Sequence, residues 1–311
     1  EFDGICSAHA MVVRAKPKMI LPEFLPFFLQ SDMFMERAIE ISVGSLSPTI
    51  NWKTLKVQEF PLPPLDEQKQ IAEILWVADE AVETFDKLLR EHSRATSVLR
   101  GHLFEEVSGD DSTLGQLVKA GELDIQTGPF GTVLSASSYV SSGTPIFNPV
   151  HMKEDGILDT ESGPFISAED VTRLARYQMQ TGDVLLSRKG EMGRVSIIEE
   201  DLEGCLVGSD CMRFRFSTKR VLPQFVFEYW HGPRQQSWFE RFASGTTMPG
   251  LNEPSLHLMP IHIPTLTDQL MLVEKFEDLH RKKKKIKNHL LAQRALRKTL
   301  IGSLLEGATH V

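Results

Sequence analysis

Five basic residues in the second half of the chain have types and neighbours that suit contact with nucleic acid. Arg188 and Lys189 follow Gly182-Asp183-Val184-Leu185-Leu186-Ser187, a turn leading into an apolar strand-like run, and precede Gly190. They crown a strand end. There an arginine can read a guanine edge through two hydrogen bonds and a lysine can meet a phosphate. A solvated hairpin tip is the structural alternative. Arg194 opens another strand-like run, ending at Ile198. Arg213 and Arg215 alternate with Met212 and Phe214, so a strand would put both arginines on one face and the apolar pair on the other. An ion pair inside the fold is the alternative for them. Hydroxyls gather around Gly44 as Ser42, Ser45 and Ser47, and around Gly245 as Ser244, Thr246 and Thr247. Such loops bind phosphate through hydroxyl and backbone N–H groups, or simply cap the segment that follows.

Little else in the chain suggests chemistry. It has no Gly-x-x-x-x-Gly-Lys-Ser/Thr, no Gly-x-Gly-x-x-Gly after a strand, and no His/Cys cluster with metal-ligand spacing. Asn148-Pro149-Val150-His151 lacks the second proline and the aromatic residue that would stack on a flipped base, and reads as a loop. Cys6, Cys205 and Cys211 read as buried reduced thiols. No catalytic residue, cofactor or metal is therefore assigned. The net charge of −8 argues against a generic nucleic-acid coat, yet a local basic face can coexist with an acidic whole. The 311 residues suffice for about two domains with real cores. With no apolar run of membrane length and no signal peptide, a cytoplasmic protein is expected.

The elements that must position these residues are organised by two long helices. Pro63 and Pro64 end whatever precedes them. Asp66 is then a suitable N-cap, and Glu67 adds negative charge to the first turn. Apolar positions follow in steps of four and three: Ile71, Leu75, Ala78, Val82, Phe85, Leu89, then polar His92 and Thr96, then Leu99 and Leu103. This is a heptad seam on a helix from Glu67 to about Glu105. So long a helix requires a partner.

The partner lies in the same chain. Ile263-Pro264-Thr265-Leu266-Thr267-Asp268-Gln269 repeats Leu62-Pro63-Pro64-Leu65-Asp66-Glu67-Gln68 at an offset of 201 residues, and the offset holds without a gap. Leu21-Pro22 matches Leu222-Pro223, Gly44 matches Gly245, Pro48 matches Pro249, Asn51 matches Asn252, Gly101 matches Gly302 and Glu105 matches Glu306. Many matches at one offset indicate an internal duplication. The second helix carries Leu272, Phe276, Leu279, Ile286, Leu290, Leu300 and Leu304 on its seam, interrupted by Lys283, Gln293 and Arg297.

The domains expected from this pattern are a β-rich part at 1–64, the first helix at 65–107, a complete β-rich domain at 108–264, and the second helix with its tail at 265–311. In the first part, Ala10–Ala15 and Leu55–Pro61 read as strands and Glu23–Gln30 as a short buried helix. Ser108–Ser112 reads as a linker and Thr113–Ala120 as an amphipathic helix. Gly128-Pro129-Phe130-Gly131 is a tight turn, expected to bury Phe130. Residues filling 112–203 in the second copy have no counterpart in the first, so the first domain reads as lacking its N-terminal half, either absent or supplied by another chain.

The order of β-rich domain, Pro-Pro-Leu-Asp-Glu-Gln-x-x-Ile helix, second domain and second helix resembles the specificity subunit of type I restriction–modification enzymes. Gly128-Pro129-Phe130-Gly131, Gly182-Asp183-Val184-Leu185-Leu186-Ser187-Arg188 and the Gly245-Thr246-Thr247 loop extend the resemblance over nearly the whole chain. Thr265-Leu266-Thr267-Asp268 departs from the Pro-Leu-Asp-Glu turn. The resemblance implies an α/β (α+β) architecture of two β-rich target recognition domains joined by an antiparallel coiled-coil helix pair. It implies a non-catalytic subunit that binds a bipartite double-stranded DNA site and docks two methyltransferase subunits and a restriction/translocase subunit. The DNA contacts expected are Arg188, Lys189, Arg194, Arg213, Arg215, Thr246, Thr247, Ser45 and Ser47. The alternatives are a methyltransferase or nuclease with embedded recognition domains, and a protein-binding coiled-coil scaffold.

Overall fold

A computed structural model of the chain describes residues 7, 10–44, 47–153, 155–242 and 250–307. Three short helices come first: α1 (Leu25–Phe28), α2 (Asp32–Glu40) behind the Ser31 cap, and α3 (Trp52–Leu55) behind the Asn51 cap. The helix α4 (Leu65–Glu106) then runs for 42 residues, about 63 Å. β1 (Gly109–Thr113) leads into α5 (Leu114–Lys119), where Thr113 and Gln116 form a capping box. Next come β2 (Leu123–Thr127), β3 (Tyr139–Val140), β4 (Thr144–Phe147), β5 (Phe165–Ile166) and α6 (Ala168–Arg173). They are followed by β6 (Val184–Ser187), β7 (Val195–Ile197), β8 (Leu206–Val207) and β9 (Cys211–Phe216). The last elements are α7 (Pro223–Trp230), α8 (Pro233–Phe242), α9 (Glu253–His257), β10 (Pro260–Pro264) and α10 (Leu266–Gly307). The class is mixed helix and sheet, as expected.

The chain forms two units, residues 1–92 with 282–311, and residues 93–281. In the first, Phe24, Phe27 and Phe28 from α1 and its cap bury against Ile71, Ala72 and Leu75 of α4 and Ile301 and Leu305 of α10. The helices run antiparallel there: Asp79 pairs with Arg297 and Phe85 meets His289, so one number rises as the other falls.

In the second unit, β9 and β6 are the inner strands of an antiparallel sheet ordered β2-β9-β6-β7, and a second sheet is ordered β3-β5-β4-β8. Val184 and Leu186 of β6 face a core containing Phe214, Phe225, Trp230, Phe104 and Phe276, while Leu185 faces a core with Ile146, Phe147 and Leu206. Burial on both faces explains why Val184, Leu185 and Leu186 follow one another without a polar residue between them. In this unit too the two long helices pack on each other, with Phe104 stacked on Phe276 and Arg100 lying over the same ring.

Four local expectations change. Residues 10–15 and 55–61 join no ladder; Trp52–Leu55 is helical, and the one pairing described in residues 7–64 is the bridge Val43↔Thr49. Their counterparts at the 201-residue offset are β9 and the start of β10, which are strands because β2 and β6 flank the former and β1 pairs with the latter. The side-chain pattern was right, but a strand needs a neighbour. Conversely, the expected linker 108–112 supplies that neighbour as β1, where a Cβ on Gly109 would lie 2.5 Å from the Ile263 carbonyl oxygen. Asp66 is not the cap of α4, which begins at Leu65; its Gln68 N–H reaches the Pro64 carbonyl. At the matching point of α10, Thr265 accepts from the Asp268 N–H and donates to its carboxylate, so the departed turn is a well-capped one.

The seam is the fourth. Ile71, Leu75 and Ala78 are buried as expected, but by the far end Leu99 is 40% exposed and Arg100 and Phe104 are buried instead. A straight helix drifts about 20° per heptad. Four heptads from Ile71 bring almost a full residue of rotation, and the buried positions move on by one. α10 shows the same shift, burying Ile301 and Leu305.

The duplication is visible atom by atom. Gln68 is buried; its amide donates to the carbonyls of Pro63 (2.9 Å) and Met19 (3.0 Å) and its oxygen accepts from the Leu21 N–H (2.8 Å). Gln269 does the same with Pro264 (2.8 Å), Arg220 (2.8 Å) and Leu222 (2.9 Å). Every partner is at the 201-residue offset.

Candidate nucleic-acid interface

Arg188 and Lys189 extend from the end of β6 and are tied to two other segments. The Arg188 N–H donates to the Asp210 carbonyl (2.8 Å), its carbonyl accepts from the Leu251 N–H (2.8 Å), and Nε donates to the Leu251 carbonyl (3.2 Å). Lys189 forms a bridge with Gly250 and places Nζ 3.6 Å from the Asp210 carboxylate. Ser187 closes the hairpin tip: its hydroxyl donates to the Glu191 carbonyl (2.6 Å) and accepts from the Arg194 N–H (2.9 Å).

The other arginines are engaged inside the unit. The Arg194 guanidinium meets the Met152 carbonyl and the Glu191 carboxylate, fastening the 149–152 turn to the hairpin. Arg213 and Arg215 share a face of β9, as their alternation requires, with Met212 and Phe214 in the core behind them. Arg213 is only 4% exposed and pairs with Asp124. Arg215 donates twice to the buried Asp183, at 2.8 and 2.7 Å. Burial, with the Arg215 charge adding to it, pulls the Arg213 pKa down, while the hydrogen bond to Asp183 raises that of Arg215. Ser47 is exposed in the bend closed by Val43 and Thr49. Ser45, Thr246 and Thr247 lie outside the described residues, as do Ser244, Gly245 and Cys6. Cys205 and Cys211 are free and buried, and burial pushes the Cys205 thiol up to about 12. Asn148–His151 forms a tight turn in which the Asn148 N–H donates to His151 Nδ1.

Arg188 and Lys189 open onto a groove of about 600 Å³ in the second unit. Its other walls include Phe130, Tyr139, Ser209, Asp210, Asn252 and Glu253. Phe130, expected to pack inward, is instead 67% exposed; Gly131, at φ +64, turns the chain directly after it, and Leu134 is the residue of this stretch that enters the core. A large exposed ring beside a basic pair was not legible in the four-residue motif, since only the packing of its neighbours decides which way Phe130 faces. Burial raises the Tyr139 pKa and the Asp210 charge adds to the effect, so its hydroxyl stays a neutral donor. The groove thus offers cations, carboxylate acceptors, a hydroxyl and an apolar ring within one concavity. Such a mixture suits base edges better than a uniform phosphate track: arginine reads guanine, a carboxylate accepts from cytosine N4, and an apolar ring meets a thymine methyl, with the lysine at hand for a phosphate. Among the described residues no group of three or more His, Cys, Asp or Glu is placed to hold a metal, and no helix is long and apolar enough to cross a membrane.

Comparison with known proteins gives concordant results. Residues 1–90 and 131–293 match the family described as type I restriction modification DNA specificity domain. The chain is 24% identical over 319 residues to the MjaVIII type I restriction enzyme specificity subunit of Methanocaldococcus jannaschii, covering 93% of this chain and 73% of that one. It is 22% identical over 290 residues to the EcoKI specificity subunit of Escherichia coli K12, covering 88% and 62%. Among solved structures, a chain described for complex assembly and conformational transition of the type I restriction–modification system aligns with a TM-score of 0.63 and 21% identity, over 96% and 73% of the two chains. The S subunit from M. genitalium aligns with a TM-score of 0.58 and 18% identity, over 93% and 74%. These structural likenesses show a common fold.

Proposed function

The chain belongs to the type I restriction–modification DNA specificity family, and on that premise we propose that it selects a bipartite DNA target for a complex whose chemistry resides in other subunits. The 108–264 domain reads one half-site through the groove lined by Phe130, Tyr139, Arg188, Lys189, Asp210 and Glu253. One observation carries this reading: Arg188 and Lys189 open onto a groove that also presents Phe130 and Tyr139, whereas Arg213 and Arg215, on a separate concavity, are committed to Asp124 and Asp183, and Arg194 is committed to Glu191. In this reading Lys189 leaves Asp210 for DNA, and Asp210 becomes an acceptor. The duplicated first unit serves the other half-site, and the paired helices carry the methyltransferase subunits, two per chain, and a restriction subunit. The complex works in the cytoplasm, on double-stranded DNA.

The test is binding of the chain, assembled with its methyltransferase subunits, to cognate duplex at fixed salt. Replacing Arg188 and Lys189 together by Ala is expected to weaken cognate binding by at least tenfold. Affinity within a factor of two of the parent would refute the groove assignment.

A further inference from the structure

A cavity of about 460 Å³ lies in the second unit, apart from the groove and sharing no lining residue with it. It opens between the end of α4, α8 and the β1–β10 ribbon. The duplication supplies a reference for it. At the matching place in the first unit stand Phe28, Phe34 and Phe60, three rings in mutual contact with centroids 5.4–5.7 Å apart. At the 201-residue offset these become Tyr229, Gln235 and Ile261, and all three line the cavity. In the first unit these three positions pack ring on ring, and the concavity beside them is the polar one lined by Asp32, Met33, Glu36, Arg37 and Glu40; in the second unit the same three positions line an opening walled by aromatic side chains.

The remaining walls are built to receive a ring. Phe104 forms one side, and Trp238, stacked on Phe242 at 4.3 Å, forms another. Tyr229 is edge-on to Phe104 at 5.3 Å. The polar rim is already fixed: the Tyr229 hydroxyl accepts from the His262 N–H (3.4 Å), and the His262 ring is held between the Asp111 carboxylate (2.8 Å) and the Val107 carbonyl (3.0 Å). The charges lining the cavity are mixed, Arg100 and Arg234 with Glu105 and Asp111, and Arg100 is already paired with Glu228. That balance does not suit a phosphodiester, but an apolar pocket inside a mixed polar rim is the form of a protein–protein anchor site.

We propose that this cavity receives an aromatic side chain presented by a protein partner of the complex, the ring taking the place that Phe34 and Phe60 occupy in the first unit. The proposal rests on the reading of the chain as a subunit that docks a methyltransferase. It names the anchor chemistry on this side of that contact.

The experiment uses the full chain and two probes, p-cresol and indole, observed by saturation-transfer NMR. A double variant, Gln235→Phe with Ile261→Phe, installs the residues of the first unit. Both probes are expected to bind the parent, and the variant is expected to bind them at least tenfold more weakly. Its affinity for the methyltransferase subunit should fall by a similar factor, while its thermal midpoint is maintained. Should the double variant fail to fold, Trp238→Ala removes one wall and must lower both affinities by the same criterion. Parent chain that binds neither probe, or a folded variant that binds the methyltransferase subunit as tightly as the parent, overturns the proposal. So does displacement of the probes by cognate DNA in the absence of protein partners. A parent chain that assembles with no methyltransferase subunit counts against the docking reading itself, and the cavity is then judged by the probes alone.

Discussion

At the scale of single residues, the sequence nominated cations by type and the fold divided them by company. Arg213 and Arg215 were expected on one face, and they are, but that face also carries Asp124 and Asp183. Carboxylates 89 and 32 residues away in sequence cannot be foreseen from local alternation. Replacing Arg215 by Met should therefore lower the urea midpoint of unfolding, since it leaves the buried Asp183 carboxylate without its cation; removing one partner of a buried pair costs about 3–5 kcal/mol. Lys189, only weakly held, should behave differently. Lys189→Ala is expected to leave the midpoint unchanged and to flatten the dependence of log affinity on log salt by about 0.9, the effect of one phosphate contact. An unchanged slope with intact binding would remove Lys189 from the interface. His231 offers a pH test. Burial, reinforced by the Arg100 charge, holds its ring neutral down to about 4, with Nδ1 donating to the Phe227 carbonyl at 2.8 Å. In the unfolded chain it protonates near pH 6.5. The unfolded state thus binds more protons between these values, and stability is full above about 6.5 and declines as the pH falls to about 4. His231→Gln should lessen the loss measured by urea unfolding between pH 7 and pH 5; an identical loss would show that other groups govern it.

At the scale of elements, the two glutamines are the clearest case of a repeat preserved for a physical reason. Leucine at position 269 would deprive the buried Pro264 carbonyl and the part-buried Leu222 N–H and Arg220 carbonyl of this partner, at about 1–3 kcal/mol for a fully buried group. Gln269→Leu and Gln68→Leu are each expected to lower the thermal midpoint clearly, with Asn no substitute because it is one methylene too short. The motif containing them was legible from the offset of 201 residues, and both helices, β6, β7 and β9 were legible from their apolar patterns. What escaped were features that depend on a distant neighbour: whether residues 10–15 find a ladder, whether 108–112 is linker or strand, and where a drifting seam buries its last turn. Divergence between the copies was equally hard to interpret. Glu228 is buried with Arg100 at 2.7 Å and His280 at 2.7 Å, whereas the matching positions in the first unit are Phe27, Ile301 and Asp79. Burial raises the Glu228 pKa, but the His280 hydrogen bond and the Arg100 charge outweigh it and hold the carboxyl below its usual value. Exchanging the pair as a whole, Arg100→Ile with Glu228→Phe, should destabilise less than Arg100→Ile alone. The double-mutant cycle measures this coupling, and strictly additive effects would deny it.

At the scale of the whole molecule, the account is that two copies of one design read two parts of one DNA target on behalf of other subunits. Seven residues inserted after Leu89 lengthen α4 by about 10 Å, or about three base pairs of B-DNA at roughly 3.4 Å each. Because α10 keeps its length, the target gap should change by about one to three base pairs, with both half-sites unchanged. Altered half-site bases would mean that recognition is not confined to the domains. The most direct measurement is single-molecule mapping of DNA methylation in cells expressing this chain with its methyltransferase subunits. The account predicts one bipartite motif with a fixed gap, absent when the chain is absent, and loss of discrimination in one half alone when Arg188 and Lys189 are replaced by Ala. Methylation that is independent of the chain, or a motif whose two halves both survive that replacement unchanged, would contradict it.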